Sequence, residues 1–272
     1  MHIDKDIQQW SAPAGAEMEV VRARMGVCGL AGHFHDRWSI GVILRGVCSF
    51  HSGGREHTAT RAELFIIPPY EVHYCSAASE DVVYQVMYLA DARLAAVAPR
   101  LKRMVEGGPL RTRALPAALL RMLQAISGEA ADEAALALAF GQLDQFFDAP
   151  PAPPAKAAHP LQDALHRQWP QALDLAALEQ NTVYSRWHAV RTFQRQIGLS
   201  PRLYLRQLRA LKARYLLQQG KPLAEVASAL HFSDQAHFSR VFKGVFGVSP
   251  GKLQRVMLGK TGAREAAGPT PD

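Results

Sequence analysis

The stretch RTFQRQIGLSP, residues 191–201, occurs again as RVFKGVFGVSP at residues 240–250. Both copies read Arg-x-Phe, three variable residues, apolar-Gly-apolar and then Ser-Pro, and they begin 49 residues apart. Glycine often ends a helix, and serine followed by proline often begins the next one. The repeat therefore predicts that one helical unit occurs twice in this part of the chain.

The second copy is the end of a predicted helix-turn-helix unit. A short helix precedes a break at His231-Phe232-Ser233, and a second helix is predicted from about Asp234 to Phe246. Helical spacing places the apolar residues of both helices on one side. These residues are Leu223, Val226, Ala227 and Leu230 in the first helix, and Phe238, Val241, Phe242, Val245 and Phe246 in the second.

The first copy repeats this arrangement. Its leading helix carries Leu173, Leu175, Ala176 and Leu178, residues 181–184 form the turn, and Ser185 is the expected cap of a helix that runs to about Ile197. A long helix over residues 201–219 then joins the two units, with a buried stripe predicted at Leu205, Leu208, Leu211, Tyr215 and Leu216.

The outward faces of the two second helices are the candidate DNA-reading surfaces. Arginine can donate to guanine and glutamine can pair with adenine in the major groove, whereas lysine suits a phosphate. Trp187 and Val190 would contact a thymine methyl or a sugar edge, or else pack on the long helix. Arg191 and Arg240 could instead form structural ion pairs. The candidate DNA-binding residues are Arg186, Trp187, Val190, Arg191, Gln235, Ser239, Arg240 and Lys243.

Charge is unevenly distributed along the 272 residues, whose net charge is +7. Residues 1–158 hold 15 Lys/Arg and 17 Asp/Glu, whereas residues 159–260 hold 15 and 5, a net +10. Such an excess favours a polyanionic partner, although a solvated basic surface would look the same.

The first half has a different character. Short strands separated by turn signals predict a β-sandwich or small barrel over residues 18–90, and residues 116–126 and 131–147 have helical spacing. Leu136, Phe140, Leu143 and Phe147 form a stripe that either packs on the β-domain or forms a dimer interface. We expect an N-terminal domain over 1–148, a Pro/Ala-rich linker over 149–159, a helical domain over 160–258 and a disordered tail over 259–272.

The C-terminal 100 residues resemble the AraC/XylS family of bacterial transcription regulators. The resemblance implies an all-α double helix-turn-helix domain whose two recognition helices enter successive major grooves. It also implies promoter DNA, RNA polymerase and a small-molecule effector as partners, with a homodimer and an activator expected. His231 departs from the family, which usually has glycine there, and Leu253 and Gln254 replace Tyr-Arg. The matching residues are Ala176, Ser185, Arg191, Phe193, Gly198, Ser200-Pro201, Ala213 and Leu216-Leu217 in the first unit, and Val226-Ala227, Phe232, Asp234-Gln235, Phe238, Arg240, Phe242-Lys243, Gly247 and Ser249-Pro250 in the second.

Residues 32–46 and 62–74 resemble the two motifs of a cupin barrel, the usual effector domain of such regulators, so the expected fold class is an α+β multidomain protein. A metal-binding cupin would use His33, His35 and His73 with a glutamate, but Ser39 stands where that glutamate is expected. Three histidines could still hold zinc or a similar divalent ion, or they could line an organic effector's pocket. Candidate effector-binding residues are Arg24, His33, His35, Trp38, His73 and Tyr84.

Two function classes follow from these patterns. The leading hypothesis is an effector-controlled regulator that binds DNA, requires no cofactor and is not an enzyme. The alternative is a metal-dependent cupin enzyme with a nucleic-acid-binding tether, although GxSxG, HExxH and P-loop motifs are absent from the sequence. Three cysteines without a CxxC pair and a polar N-terminus favour a reducing cytoplasm.

Overall fold

The computed structural model describes residues 5–11, 18–25, 30–77, 79, 81–105, 110–126, 133–146, 159–168 and 186–258. The predicted tail, the leading helix of the first unit, Ser185 and all of the predicted linker except His159 lie outside these residues. The side chains of Arg186 and Phe147 also lie outside them.

Ten strands of the described residues form two antiparallel sheets. The six-stranded sheet has the order β1-β2-β9-β4-β7-β10, and the four-stranded sheet has the order β3-β8-β5-β6. The strands are β1 (Lys5–Ser11), β2 (Met18–Met25), β3 (Leu30–His33), β4 (Trp38–Arg45), β5 (Cys48–Ser52), β6 (Arg55–Ala59), β7 (Glu63–Ile67), β8 (His73–Ala77), β9 (Val82–Leu89) and β10 (Leu110–Ala114).

The six-stranded sheet is covered on both faces, and every residue of β9 is buried. One face packs against the helices α1 (Asp91–Val97), α2 (Pro99–Val105), α3 (Ala117–Ala125) and α4 (Glu133–Phe146). Because side chains alternate along a strand, the other face points toward the four-stranded sheet. The stripe residues Leu136, Phe140 and Leu143 are buried against the sheet, so they pack within the domain rather than form a dimer interface.

The C-terminal half is helical, as the sequence predicts. Its helices are α5 (Pro160–Gln168), α6 (Arg186–Ile197), α7 (Pro201–Gln218), α8 (Leu223–Ala229), α9 (Gln235–Phe246) and α10 (Pro250–Met257). Ser200 and Ser249 cap α7 and α10 by accepting from the backbone N–H groups of Leu203 and Lys252, both at 3.3 Å. The repeated Ser-Pro therefore begins a helix both times, as expected. No helix of the described residues is long and apolar enough to cross a bilayer.

His231 occupies the turn between α8 and α9 with a φ of 56°. The left-handed region costs an L-residue with a Cβ about 1–2 kcal/mol, whereas glycine adopts it freely. We expect His231→Gly to raise the free energy of unfolding by about 1 kcal/mol, measured by urea denaturation. Ser228→Gly in α8 is the matched control, because glycine inside a helix lowers stability by roughly 0.5–1 kcal/mol. Equal destabilisation by both substitutions would contradict the strain at His231.

The two halves of the chain are in direct contact. Phe34, which follows β3, is fully buried in the core of the helical half rather than in the barrel. Its ring stacks on Tyr204 of α7 with centroids 4.4 Å apart. The helix α7 is therefore packed both on its own helices and on the barrel.

Candidate functional site

Two exposed helix faces carry the predicted reading residues. On α6, Trp187 is 76% exposed and Arg191 is exposed, while Val190 is partly buried. On α9, Gln235, Arg240 and Lys243 are exposed and Ser239 is partly buried. The exposure of Trp187 argues against burial on α7, and Arg191 and Arg240 form no salt bridge with any described residue. These helices present polar and aromatic groups to solvent in the manner that a DNA groove requires.

The opposite faces hold these helices in place. Phe193 of α6 and Phe238 and Phe242 of α9 are fully buried. Asp234 accepts from the His237 backbone N–H at 2.7 Å, so it fixes the first turn of α9. That backbone hydrogen bond, together with one from Ser233, lowers the pKa of Asp234, which keeps the cap ionised.

A cavity of about 40 Å³ lies between the two sheets. Its wall is mostly apolar and comes from both sheets, with polar groups at a few positions. The Ser39 hydroxyl is buried there and has no hydrogen-bond partner among the described residues. The polar lining residues are His33, His35, Ser39, His73, Tyr84 and Tyr88.

Three of these residues form a cluster of imidazoles. His33 and His73 are cross-strand partners on β3 and β8, and their ring centroids are 4.3 Å apart. The His35 ring lies 5.1 Å from that of His33 and 5.3 Å from that of His73. All three are buried, and one nitrogen of each lies within 4.8 Å of the others. The structure thus brings together the three histidines that the sequence proposed as metal ligands.

Arg24 and Trp38, two of the predicted effector-binding residues, do not line the cavity. Arg24 is exposed and pairs with Asp81 at 2.7 Å. Trp38 is buried on the helix-facing side of the sheet and donates to Asp91 at 2.9 Å. Side chains alternate between the two faces of a strand, and the neighbouring residues Met25 and Ser39 point into the cavity. Arg24 and Trp38 therefore point away from it.

Two carboxylates that are close to these histidines in sequence, Asp36 and Glu71, make contacts outside the cavity. Glu71 accepts from the backbone N–H of Gly53 at 2.7 Å, and Asp36 accepts from the Tyr215 hydroxyl at 2.6 Å. No carboxylate of the described residues lines the cavity.

Burial keeps the other polar groups of the cavity neutral. It raises the pKa of the Tyr84 and Tyr88 hydroxyls above their ordinary value. A hydrogen bond with Cys75 and burial together raise the pKa of the Cys48 thiol. At neutral pH the Tyr84 and Tyr88 hydroxyls and the Cys48 thiol are therefore uncharged.

A buried ion pair joins the barrel to α7. Arg214 of α7 donates to Glu19 of β2 at 2.8 Å, and both side chains are almost fully buried. Burial alone lowers the pKa of Arg214, but the Glu19 and Asp36 carboxylates together raise it above its usual value. Gln207 of α7 also donates to the carbonyl of Gly32 at 2.6 Å.

Sequence reasoning did not identify Arg214, Glu19 or Gln207. One signal was available, because Gln207 and Arg214 lie seven residues apart on the stripe that buries Tyr204, Leu208 and Leu211. Two polar residues on an apolar stripe indicate that this part of the helix faces a polar partner rather than a uniform core.

These features define a class: a two-part protein in which a barrel with an internal cavity packs against a helical domain that contains the helix-turn-helix of α8 and α9. Two family models match the chain, a helix-turn-helix domain over residues 178–255 and an AraC-like ligand binding domain over residues 27–143. The chain belongs to the AraC/XylS family of transcription regulators.

Relatives of known name are similar to the C-terminal part. The Msm operon regulatory protein of Streptococcus mutans is 32% identical over 92 residues, which is 34% of this chain and 33% of that protein. The transcriptional activator RhaS of Escherichia coli O9:H4 is 33% identical over 88 residues, 32% of this chain and 30% of RhaS. The matched region thus spans about a third of the length of these relatives.

Solved structures with a similar fold cover nearly the whole chain. The crystal structure of ToxT from Vibrio cholerae O395 has a TM-score of 0.60 at 11% identity and covers 89% of this chain and 99% of ToxT. ToxT with bound unsaturated fatty acid has a TM-score of 0.60 at 13% identity, with 89% and 96% covered. The fold is therefore similar over nearly the whole chain, at low sequence identity.

Proposed function

We propose that this protein is a sequence-specific DNA-binding regulator of transcription, controlled by a small effector in the barrel, and that it acts as an activator. The observation that carries this proposal is the pair of exposed helix faces on α6 and α9, each held by buried phenylalanines in a half with a net charge of +10. A basic domain with two such helices fits two successive major grooves.

The proposed contacts follow from side-chain chemistry. Arg186, Arg191 and Arg240 donate to guanine, and Gln235 pairs with adenine. Ser239 contacts either base type, while Val190 and Trp187 contact thymine methyl groups or sugar edges. Lys243 neutralises a phosphate, which sets affinity without reading sequence.

The proposed effector site is the cavity between the sheets, with His33, His35, His73 and Tyr84 as contacts. Arg24 and Trp38 are left out of it because their side chains lie elsewhere. ToxT has been solved with a bound unsaturated fatty acid. The cavity here is small, at about 40 Å³, and has three imidazoles in its wall, which favours a more compact occupant.

The remaining proposals concern partners and boundaries. We propose residues 1–148, 149–159 and 160–258 as effector domain, linker and DNA-binding domain. We also propose a homodimer and contact with RNA polymerase, as the family resemblance implies, and a cytoplasmic location, where promoter DNA lies. We do not adopt the alternative of a metal-dependent enzyme, because the named relatives of the helical half are regulators.

The direct test measures DNA preference. The purified protein should bind the DNA upstream of its own gene more tightly than random DNA of equal length at about 0.15 M salt, where non-specific binding is weak. Fluorescence anisotropy with labelled duplexes gives both affinities. Equal affinity for the two duplexes would contradict sequence-specific binding.

Trp187 offers a prediction that separates binding from folding. Its side chain is 76% exposed, so Trp187→Ala should leave the Tm nearly unchanged. The same substitution should weaken binding to the preferred duplex by about 1 kcal/mol, roughly fivefold, because an apolar contact with DNA is lost. Anisotropy and thermal unfolding measure the two effects, and a lower Tm with unchanged affinity would count against the DNA contact.

A further inference from the structure

The three histidines of the cluster are spaced almost as closely as the ligands of a metal ion. On a tetrahedral ion with Zn–N bonds of about 2.0–2.1 Å, ligand nitrogens lie roughly 3.4 Å apart. The nitrogens of His33, His35 and His73 lie within 4.8 Å of one another, so small rotations of the rings bring them to that spacing.

The orientation of His73 is already that of a metal ligand. Its Nδ1 lies 3.0 Å from the carbonyl oxygen of Glu71, and a carbonyl can only accept. Nδ1 is therefore the donor in this contact, so Nε2 is the nitrogen through which His73 would bind an ion. Histidines that bind metals commonly donate from their other ring nitrogen to a backbone carbonyl or carboxylate, as Nδ1 of His73 does here.

The cavity suits an ion better than a large organic molecule. Its volume of about 40 Å³ has room for an ion and a few water-sized groups. Three imidazoles without a carboxylate favour zinc, cobalt, nickel or copper over magnesium or calcium, which require oxygen ligands. The buried Ser39 hydroxyl, which has no hydrogen-bond partner in the described part of the chain, faces the same space.

We propose that His33, His35 and His73 bind one divalent transition-metal ion, and that residues 32–36 transmit its presence to α7. The transmission to α7 rests on the proposed DNA-binding function. The ion is then the effector itself or the anchor of a small ligand that completes its coordination.

Residues 32–36 have two faces, which is the physical basis of this transmission. His33 and His35 point into the cavity, whereas their neighbours contact the DNA-binding half. Gly32 accepts from Gln207, Phe34 stacks on Tyr204, and Asp36 accepts from Tyr215. Because residues that face the cavity alternate with residues that contact α7 in this short segment, moving the two imidazoles toward an ion should displace the residues that hold α7.

Tyr88 provides a second connection between His35 and α7. The centroid of the Tyr88 ring lies 4.7 Å from that of the His35 ring. The guanidinium carbon of Arg214 lies 5.9 Å from the same Tyr88 centroid. Tyr88 is also the cross-strand partner of Glu19, which binds Arg214. The ion site is thus separated from the buried ion pair of α7 by a single aromatic ring.

The first experiment measures metal binding by the full-length protein. After chelator treatment and dialysis, Co²⁺ is titrated while its visible absorption is recorded, and Zn²⁺ is then added in competition. We expect one equivalent of Co²⁺ per chain with the absorption of nitrogen ligands, and its loss on Zn²⁺ addition. His35→Gln and His73→Gln should each weaken binding at least about 100-fold, since each removes a ligand.

His231→Asn is the matched control, because it removes an exposed histidine outside the barrel and should leave the titration unchanged. The wild-type titration shows by itself whether the protein binds one ion per chain. Thermal unfolding of each variant identifies any variant that is not folded. A wild-type protein that binds neither Co²⁺ nor Zn²⁺ at one equivalent overturns the site. Binding that both folded histidine variants retain overturns the assignment of its ligands.

The second experiment measures transmission. One equivalent of Zn²⁺ should change the affinity of the wild-type protein for its own upstream DNA by at least about fivefold. Tyr215→Phe, which removes the contact with Asp36, should retain metal binding and reduce that change. Metal binding without any effect on DNA affinity overturns the transmission. If the protein shows no DNA preference at all, the proposed function fails, and the Co²⁺ titration still decides the site.

Discussion

Replacing Arg214 by alanine is expected to lower the free energy of unfolding by about 3–5 kcal/mol, because it leaves the Glu19 carboxylate buried without its main partner. Glu19 is 2% exposed, and the next cation, Arg37, lies 3.6 Å from it at the edge of the same site. For a chain of this size the Tm should fall by roughly 6–20 °C. Differential scanning calorimetry measures the change.

Two variants make this prediction specific. Lys212→Ala, on an exposed position of α7, should change stability by less than about 0.5 kcal/mol. The double variant Arg214→Met with Glu19→Leu should recover most of the loss, because apolar residues of similar volume often replace a buried ion pair without cost. An Arg214→Ala protein as stable as the wild type would show that the ion pair does not hold the two halves together.

Arg240→Ala is expected to reduce affinity for the preferred duplex by about 5- to 150-fold, equivalent to the 1–3 kcal/mol of an arginine–guanine contact. Discrimination should be lost at one base-pair position only. Lys243→Ala should instead weaken binding to all sequences alike and lower the salt dependence of binding by about one phosphate contact. Anisotropy titrations at several salt concentrations, against duplexes substituted at each position, separate the two effects.

Arg121→Ala provides the control for both substitutions. It removes the same charge from an exposed position on α3, in the barrel half, and should leave affinity and salt dependence nearly unchanged. Uniform weakening by Arg240→Ala across all duplexes would assign Arg240 to the DNA backbone rather than to a base.

The sequence was most informative where periodicity and local backbone geometry determine structure. The doubled Ser-Pro predicted the starts of α7 and α10, and a φ of 73° at Gly247 agrees with its predicted place at a helix end. The buried stripe of α9 was predicted because residues three and four positions apart share a helix face. Trp187 was left between a DNA contact and packing on α7, and its exposure favours the DNA contact.

The barrel was predicted less completely. Its pattern predicted β-structure over residues 18–90, where β2 to β9 lie, whereas β1 and β10 fall outside that range and were not predicted. Trp38 was predicted to bind the effector, but its side chain lies on the helix-facing side of the sheet. One position along a strand reverses the face, and only the register with β9 and β7 determined that Ser39 points inward.

By itself the sequence determined the two-domain plan, the double helix-turn-helix unit and the three histidines of the cluster, because each depends on local spacing and residue type. Only the tertiary structure decided how the halves meet. Arg214 and Glu19 are 195 residues apart in the chain. The local sequence around Phe34 and Gln207 does not indicate that each contacts the other half of the protein. Contacts over such separations depend on which surfaces exclude water together, and residues 32–36 acquire two faces only when α7 packs on the barrel.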